Sequence, residues 1–228
     1  MSADASSPTE HALYVAALES LTASAAINIA GVDFASITVM GPDHTLQTIG
    51  ATDPVANQTD RLQYQLHEGP CYAAVTEDRF VLINDLTVAD GFPRYAPRAV
   101  ELGVMAQAAI QLTSPGQRAG LNLYARTPEA FDRSTIQVAE LFATQAAALL
   151  HYADQVEQLS EALHTRTDIG TAVGIIMERY GIGNHQAFAF LVRSSNNRNV
   201  KLRELAQDVI AGTFDSTLAE DARSQHWP

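Results

Sequence analysis

Residues 166–210 read RTDIGTAVGIIMERYGIGNHQAFAFLVRSSNNRNVKLRELAQDVI, and their spacing decides the fold of this end of the chain. Ile169, Val173, Ile176 and Met177, three to four apart, predict a first helix, which Gly181-Ile182-Gly183 ends. A second helix, from Asn184 to about Asn197, carries Ala187, Phe188, Leu191 and Val192 on its apolar face, with Gly183 and Gln186 at capping-box spacing. A third starts near Asn199 as N-cap and carries Leu202, Leu205, Ala206, Val209 and Ile210. Helices this short are not stable alone, so the three are expected to share one small core.

The same residues form a basic island. Six cations (Arg166, Arg179, Arg193, Arg198, Lys201, Arg203) face four acids (Asp168, Glu178, Glu204, Asp208), a net of +2 on a chain of −12 overall. An island of one sign on a protein of the other implies an anionic partner for the island. The turn Arg193 to Lys201 (RSSNNRNVK) adds free N–H groups at a helix start, which can hold phosphate, and Asn and Ser side chains, which can read base edges. A solvated, capped turn is the plainer reading of that composition. Lys201 is the only Lys in the chain, beside thirteen Arg.

Arg166, Ile169, Ala172, Gly174, Ile175, Met177, Ala187, Phe188, Leu191, Arg193, Ser195, Asn199, Lys201, Leu202 and Ala206 together resemble the ANTAR domain, an RNA-binding module of bacterial transcription antiterminators. The resemblance implies contact with hairpins of leader transcripts through Arg166, Arg193, Ser195, Asn199 and Lys201. Val173 stands where that family often has Lys, and Gly183 where a Ser-type cap is common.

Upstream, Val138, Phe142, Gln145, Leu149, Tyr152, Val156, Leu159 and Leu163 alternate four and three apart, a heptad seam of nearly four repeats. No Gly or Pro occurs between Asp132 and Asp168, so one unbroken helix is expected, with a seam roughly 39 Å long. An amphipathic helix lying on a sheet accounts for its alanine-rich first half. Over Gln155 to Arg166 a parallel two-helix coiled coil, hence a homodimer, is the better reading, with residues 138–165 as the linker.

Residues 11–150 read as an α+β unit: a helix over His11–Ala30, strands at Ala35–Met40, Leu46–Thr52, Phe80–Ile83 (a buried one), Met105–Leu112 and Gly120–Tyr124, and short helices at Asp60–Leu66, after Gly69-Pro70 and at Tyr95–Leu102. Ser114 to Gln117 reads as a turn. Asp33 and Ser36, Leu62 to Tyr64, Glu68 to Cys71, Asp85, Gly103-Val104, Gly120 to Tyr124 and Phe131 resemble a GAF domain, of the kind fused to ANTAR in actinobacterial antitermination regulators. Such a domain is implied to sense a small molecule held between its sheet and the helices over it, here unidentified. Residues 1–10 are expected to be a disordered tail, 166–212 the RNA-binding unit and 213–228 a C-terminal tail from which Phe214, Leu218 and Trp227 could pack back.

Cys71, the one cysteine, excludes an internal disulfide and a CxxC metal site. It follows Gly-Pro at a helix start, where a thiol can act as a redox sensor; a buried, inert side chain is the favoured reading. The GAF-type enzyme free methionine sulfoxide reductase needs a resolving thiol, which the chain does not carry. The seven His form no metal-ligand spacing, no GxSxG occurs, and no enzyme, metal or cofactor is expected. No apolar run spans a membrane and the start MSADASSPTE is unlike a signal peptide, so a cytoplasmic protein is expected. Besides RNA binding, a DNA-binding use of the three helices remains open, although Glu204 and Asp208 suit a major groove poorly.

Overall fold

The computed structural model describes residues 8–77, 80–114 and 117–214. They form two compact units, one reaching to Val156 and one beginning at Glu157.

The first unit is built on five antiparallel strands, β1 (Phe34–Met40), β2 (Leu46–Ile49), β3 (Val81–Ile83), β4 (Ala106–Ser114) and β5 (Gln117–Ala125), ordered β2-β1-β5-β4-β3. Register sorts the side chains by face, because successive residues of a strand point to opposite sides. Ser36 pairs with Asn122 and Gln107 with Tyr124, whereas Ile37 pairs with Leu121 and Ala108 with Leu123. One face is therefore polar at its centre and the other apolar. Against the apolar face pack α1 (Pro8–Asn28), through Leu18, Leu21 and Ala25, and the first half of α5 (Arg133–Tyr180), through Ala139, Ala143, Ala146 and Leu150.

The polar face is covered by α2 (Pro54–Leu66) and α3 (Pro70–Thr76), with α4 (Ala96–Glu101) contributing to a smaller cluster with Phe34 and Tyr124. Asp53 starts α2, its carboxylate accepting from the Val55 N–H at 2.8 Å, and Pro54 fits the first helical position, where no N–H is needed. Gly120 lets α3 approach β5: a Cβ there would lie 3.1 Å from Val75 Cγ2.

Several expectations need adjustment. Helix α1 already runs from Pro8, within the stretch read as a tail. Strand β3 is half-buried rather than buried, because it forms a sheet edge, and Phe80 beside it is exposed. The centre of the expected turn at 115–116 lies outside the described residues, as do Leu218 and Trp227.

The second unit comprises the rest of α5, α6 (Asn184–Arg198) and α7 (Leu202–Ala211). Helix α5 is unbroken for 48 residues, so the linker and the first helix of the basic unit are one element. Ala172, Val173, Ile176, Ala187, Phe190, Leu191, Leu205, Ala206 and Val209 form the shared core. Phe214 joins it, 6.0 Å from the Phe190 ring and with the Arg198 guanidinium 4.7 Å above its own ring. The core aromatic of α6 is Phe190, not Phe188. Ala187, Phe190, Leu191 and Ser194 define the buried face, and at about 100° per residue Phe188 points roughly 110° away from its centre.

Candidate nucleic-acid interface

The turn between α6 and α7 is fixed by its own backbone. Asn199 adopts φ 52°, the left-handed conformation that Asn tolerates better than most residues, and its N–H donates to the Asn196 carbonyl at 3.2 Å. It thus closes α6 rather than capping α7. Lys201 takes the N-cap position instead, with extended backbone and its carbonyl accepting from the Leu205 N–H at 3.1 Å. Ser195, expected to take part in RNA contact, is 8% exposed. Its hydroxyl donates to the Val200 carbonyl at 2.6 Å while its own carbonyl accepts from the Val200 N–H at 3.2 Å. Ser195 shapes the turn from inside.

Arg166, Arg193, Asn199 and Lys201 are exposed. Two contacts tie α7 to α5. Arg203 on α7 forms an ion pair with Glu161 on α5, and Gln207 donates to Asp168 at 3.3 Å. The two helices therefore run side by side, with the start of α7 next to residue 161. Lys201, two residues before Arg203, lies at the same end of the unit as Arg166. Ser195 ties the end of α6, and with it the chain neighbourhood of Arg193, to the same turn. Val173 is buried in the core, so this position offers no surface contact.

The seam of α5 divides into two stretches. Within the first unit Phe142 and Leu149 pack partly on the sheet core, while Val138 and Tyr152 are exposed. Within the second, Leu159 and Leu163 are 63% and 57% exposed. The chain itself leaves that apolar row uncovered.

Sequence reasoning missed the interior of the first unit. Asp60 is fully buried between α2 and the sheet. Its carboxylate accepts from Tyr124, from Thr48 at 3.0 Å and from Asn122 at 3.3 Å. Burial is the largest influence on it and lifts its pKa to about 6, against these hydrogen bonds. Thr38 extends the network to Tyr64 at 2.7 Å and to the Cys71 sulfur at 3.0 Å. The Cys71 N–H donates to Gln63 Oε1 at 2.8 Å, which serves the start of α3 where Gly69 has no side chain. Cys71 is fully buried, and burial pushes its thiol well above the usual range, with Asp60 adding to the effect. Side chains of this chain thus fill the centre of the space between sheet and helices. A groove of about 620 Å³ beside it is lined by Met40, His44, Tyr64, His67, Tyr72 and Arg118. Among the described residues no group of His, Cys, Asp and Glu could hold a metal ion, and no helix is long and apolar enough to cross a membrane.

Comparison with known proteins matches this architecture. The first unit resembles the GAF domain region of a Geobacter sulfurreducens PCA protein, with a TM-score of 0.53, 16% identity, and coverage of 62% of this chain and 95% of that one. A free methionine-R-sulfoxide reductase of type II from Thermoplasma acidophilum gives a TM-score of 0.49 at 13% identity, over 63% of this chain and 96% of that one. A domain of a Sinorhizobium meliloti 1021 two-component sensor histidine kinase protein gives 0.48 at 20% identity, over 69% and 99%. At 16% identity the first of these likenesses speaks for fold alone. No curated protein sequence matches the chain. The model of the GAF domain matches residues 15–151 and that of the ANTAR domain residues 157–210. The chain therefore belongs to the GAF family and carries an ANTAR domain after its GAF domain, the architecture of a regulator with a sensor domain rather than of an enzyme.

Proposed function

We propose that this protein is an RNA-binding regulator of transcription antitermination. Two copies pair through the exposed α5 row, and each ANTAR domain takes one of two adjacent hairpins in a leader transcript. Binding stabilises those hairpins against a terminator or an occluding stem, and the GAF domain gates the dimer, with a small molecule as its input. The observation that carries the reading is that Arg166, Arg193 and Lys201 are all exposed, with Lys201 at the N-cap of α7 beside a turn that Ser195 buttresses. Hairpin loops present close phosphates and unstacked bases to such a surface. Arg193 supplies a planar fork and Lys201 a point charge, while Asn199 presents an amide from a rigid left-handed position. Each site alone binds weakly; linking two raises the effective concentration of the second. The cytoplasm is the compartment this activity requires. The buried Cys71 favours a structural thiol over redox sensing or a reductase reaction.

The test is a titration of the full chain on a two-hairpin RNA and on duplex DNA at several salt concentrations. Lys201→Ala should keep its helical content, weaken RNA binding and lower the salt slope of log K by roughly 0.7–0.9 for each phosphate that the side chain would neutralise. Arg193→Ala should cost about 1–3 kcal/mol and relax loop specificity if its side chain meets a base. Wild-type binding that does not prefer hairpin RNA, or two variants that bind like wild type, would remove the reading.

A further inference from the structure

Phe188 is the unexplained aromatic of the ANTAR domain. It is 45% exposed, although Phe190 two residues on is 6% exposed in the core. Its ring borders a groove of about 620 Å³ on α5. Ala162 and Ile169 give that groove an apolar floor, Gln158 and Thr165 bring an amide and a hydroxyl, and Arg166 stands in its wall. Glu161 also lines it, but is held in the ion pair with Arg203. Flat apolar ring, hydrogen-bonding wall and adjacent guanidinium are the parts that receive a nucleobase and its phosphate: the base face stacks on the ring, its edge meets the amide or hydroxyl, and the phosphate meets the cation. An apolar peptide would use the floor and leave Arg166 without a role. With Glu161 engaged by Arg203, the cation Arg166 in the groove's lining favours the nucleotide.

We propose that Phe188 is a stacking platform for one unpaired base of the hairpin loop, with Arg166 on the flanking phosphate. This rests on the RNA-binding reading above and adds to it an interaction made by base shape rather than by charge. The platform lies in the groove with Arg166, on a different helix from Lys201, so one loop can be held by its backbone at the turn and by an extruded base here.

The test uses the full chain, Phe188→Leu, Phe188→Trp, and a two-hairpin RNA whose loop positions are made abasic one at a time. Phe188→Leu keeps apolar bulk and removes the π-face. It should lower affinity on the order of ten- to a hundredfold, while leaving the circular dichroism spectrum and the salt slope of log K unchanged. Phe188→Trp should bind as well as wild type or better. One abasic position should weaken wild type by a similar factor and cost Phe188→Leu almost nothing more. The abasic series on wild type needs no variant to fold. If Phe188→Leu binds like wild type while Lys201→Ala is weakened, the RNA-binding reading stands and the platform falls. If no abasic position couples to Phe188, the platform falls as well. If wild type shows no preference for hairpins, both fall.

Discussion

Asp60 makes the GAF domain respond to pH in the direction opposite to ordinary acid unfolding. The carboxyl holds its proton to about pH 6 in the folded state, and near 3.8 when free in solution. Between those values the folded protein binds more protons than the unfolded chain, so stability falls as pH rises. The stabilisation is fully present below 3.8 and is lost as pH passes through about 6. At 1.36 kcal/mol per pH unit, that gap corresponds to about 3 kcal/mol, complete by about pH 7. The perturbation is Asp60→Asn. The amide keeps an oxygen for Tyr124 and Asn122, and the Thr48 hydroxyl, 2.9 Å from the Tyr64 hydroxyl, can turn to accept from its nitrogen. Urea unfolding of wild type and variant, followed between pH 4 and 8, isolates the one carboxyl because every other titration is common to both. The variant should gain on wild type by about 2.5 kcal/mol from the acidic to the basic end, about 0.5 kcal/mol of the gap lying below pH 4. A difference that stays flat across that range would refute the reasoning, and one of opposite slope would show that Asp60 is held by a positive charge.

Replacing Val156 and Leu159 together by Asp should abolish dimerisation by setting like charges face to face across the seam; a sedimentation profile of unchanged dimer affinity would exclude the coiled coil. Cys71→Ser should leave RNA binding unchanged with and without oxidant, and a thiol reagent should label Cys71 of the native wild type only as fast as the domain opens; rapid labelling would promote the thiol to a sensor. Asn199→Gly should hold the turn, since Gly adopts positive φ without strain, whereas Asn199→Ala should lower stability by about 1 kcal/mol. If the amide reads a base, RNA titrations will show both variants weakened; if only Ala is weakened, Asn199 serves the backbone alone.

Periodicity made the large features legible. The absence of Gly and Pro between Asp132 and Asp168 foretold the continuous α5, and the spacing of Ile176, Leu191 and Leu205 foretold the three-helix core. Single positions were less so. Asn suits both a helix start and a left-handed helix end, and sequence alone did not decide between them at Asn199. Ser195 carries a polar side chain that reads as surface until its bond to Val200 is seen. Phe188 and Phe190 compete for one core position, and the face is chosen by Ala187, Leu191 and Ser194 together. Asp60 sits in a polar helix, TDRLQYQL, that looks solvated. What buries it is the pairing of β1 with β5, which gathers Ser36, Thr38, Asn122 and Tyr124 opposite α2 from strands more than eighty residues apart in sequence. A signal carried by tertiary pairing leaves little local pattern.

The inner face of α5 against the sheet is made largely of alanine: Ala139, Ala143 and Ala146 from the helix, with Ala106, Ala108, Ala119 and Ala125 in the same core from the strands. Alanine has no rotamers, so this packing sacrifices almost no side-chain entropy when it forms. For the same reason it has no side-chain freedom with which to absorb a displacement. Where leucines would re-seat one by one, methyl groups keep the helix at a fixed stand-off, and the first half of α5 must slide or turn as one piece when the sheet beneath it shifts.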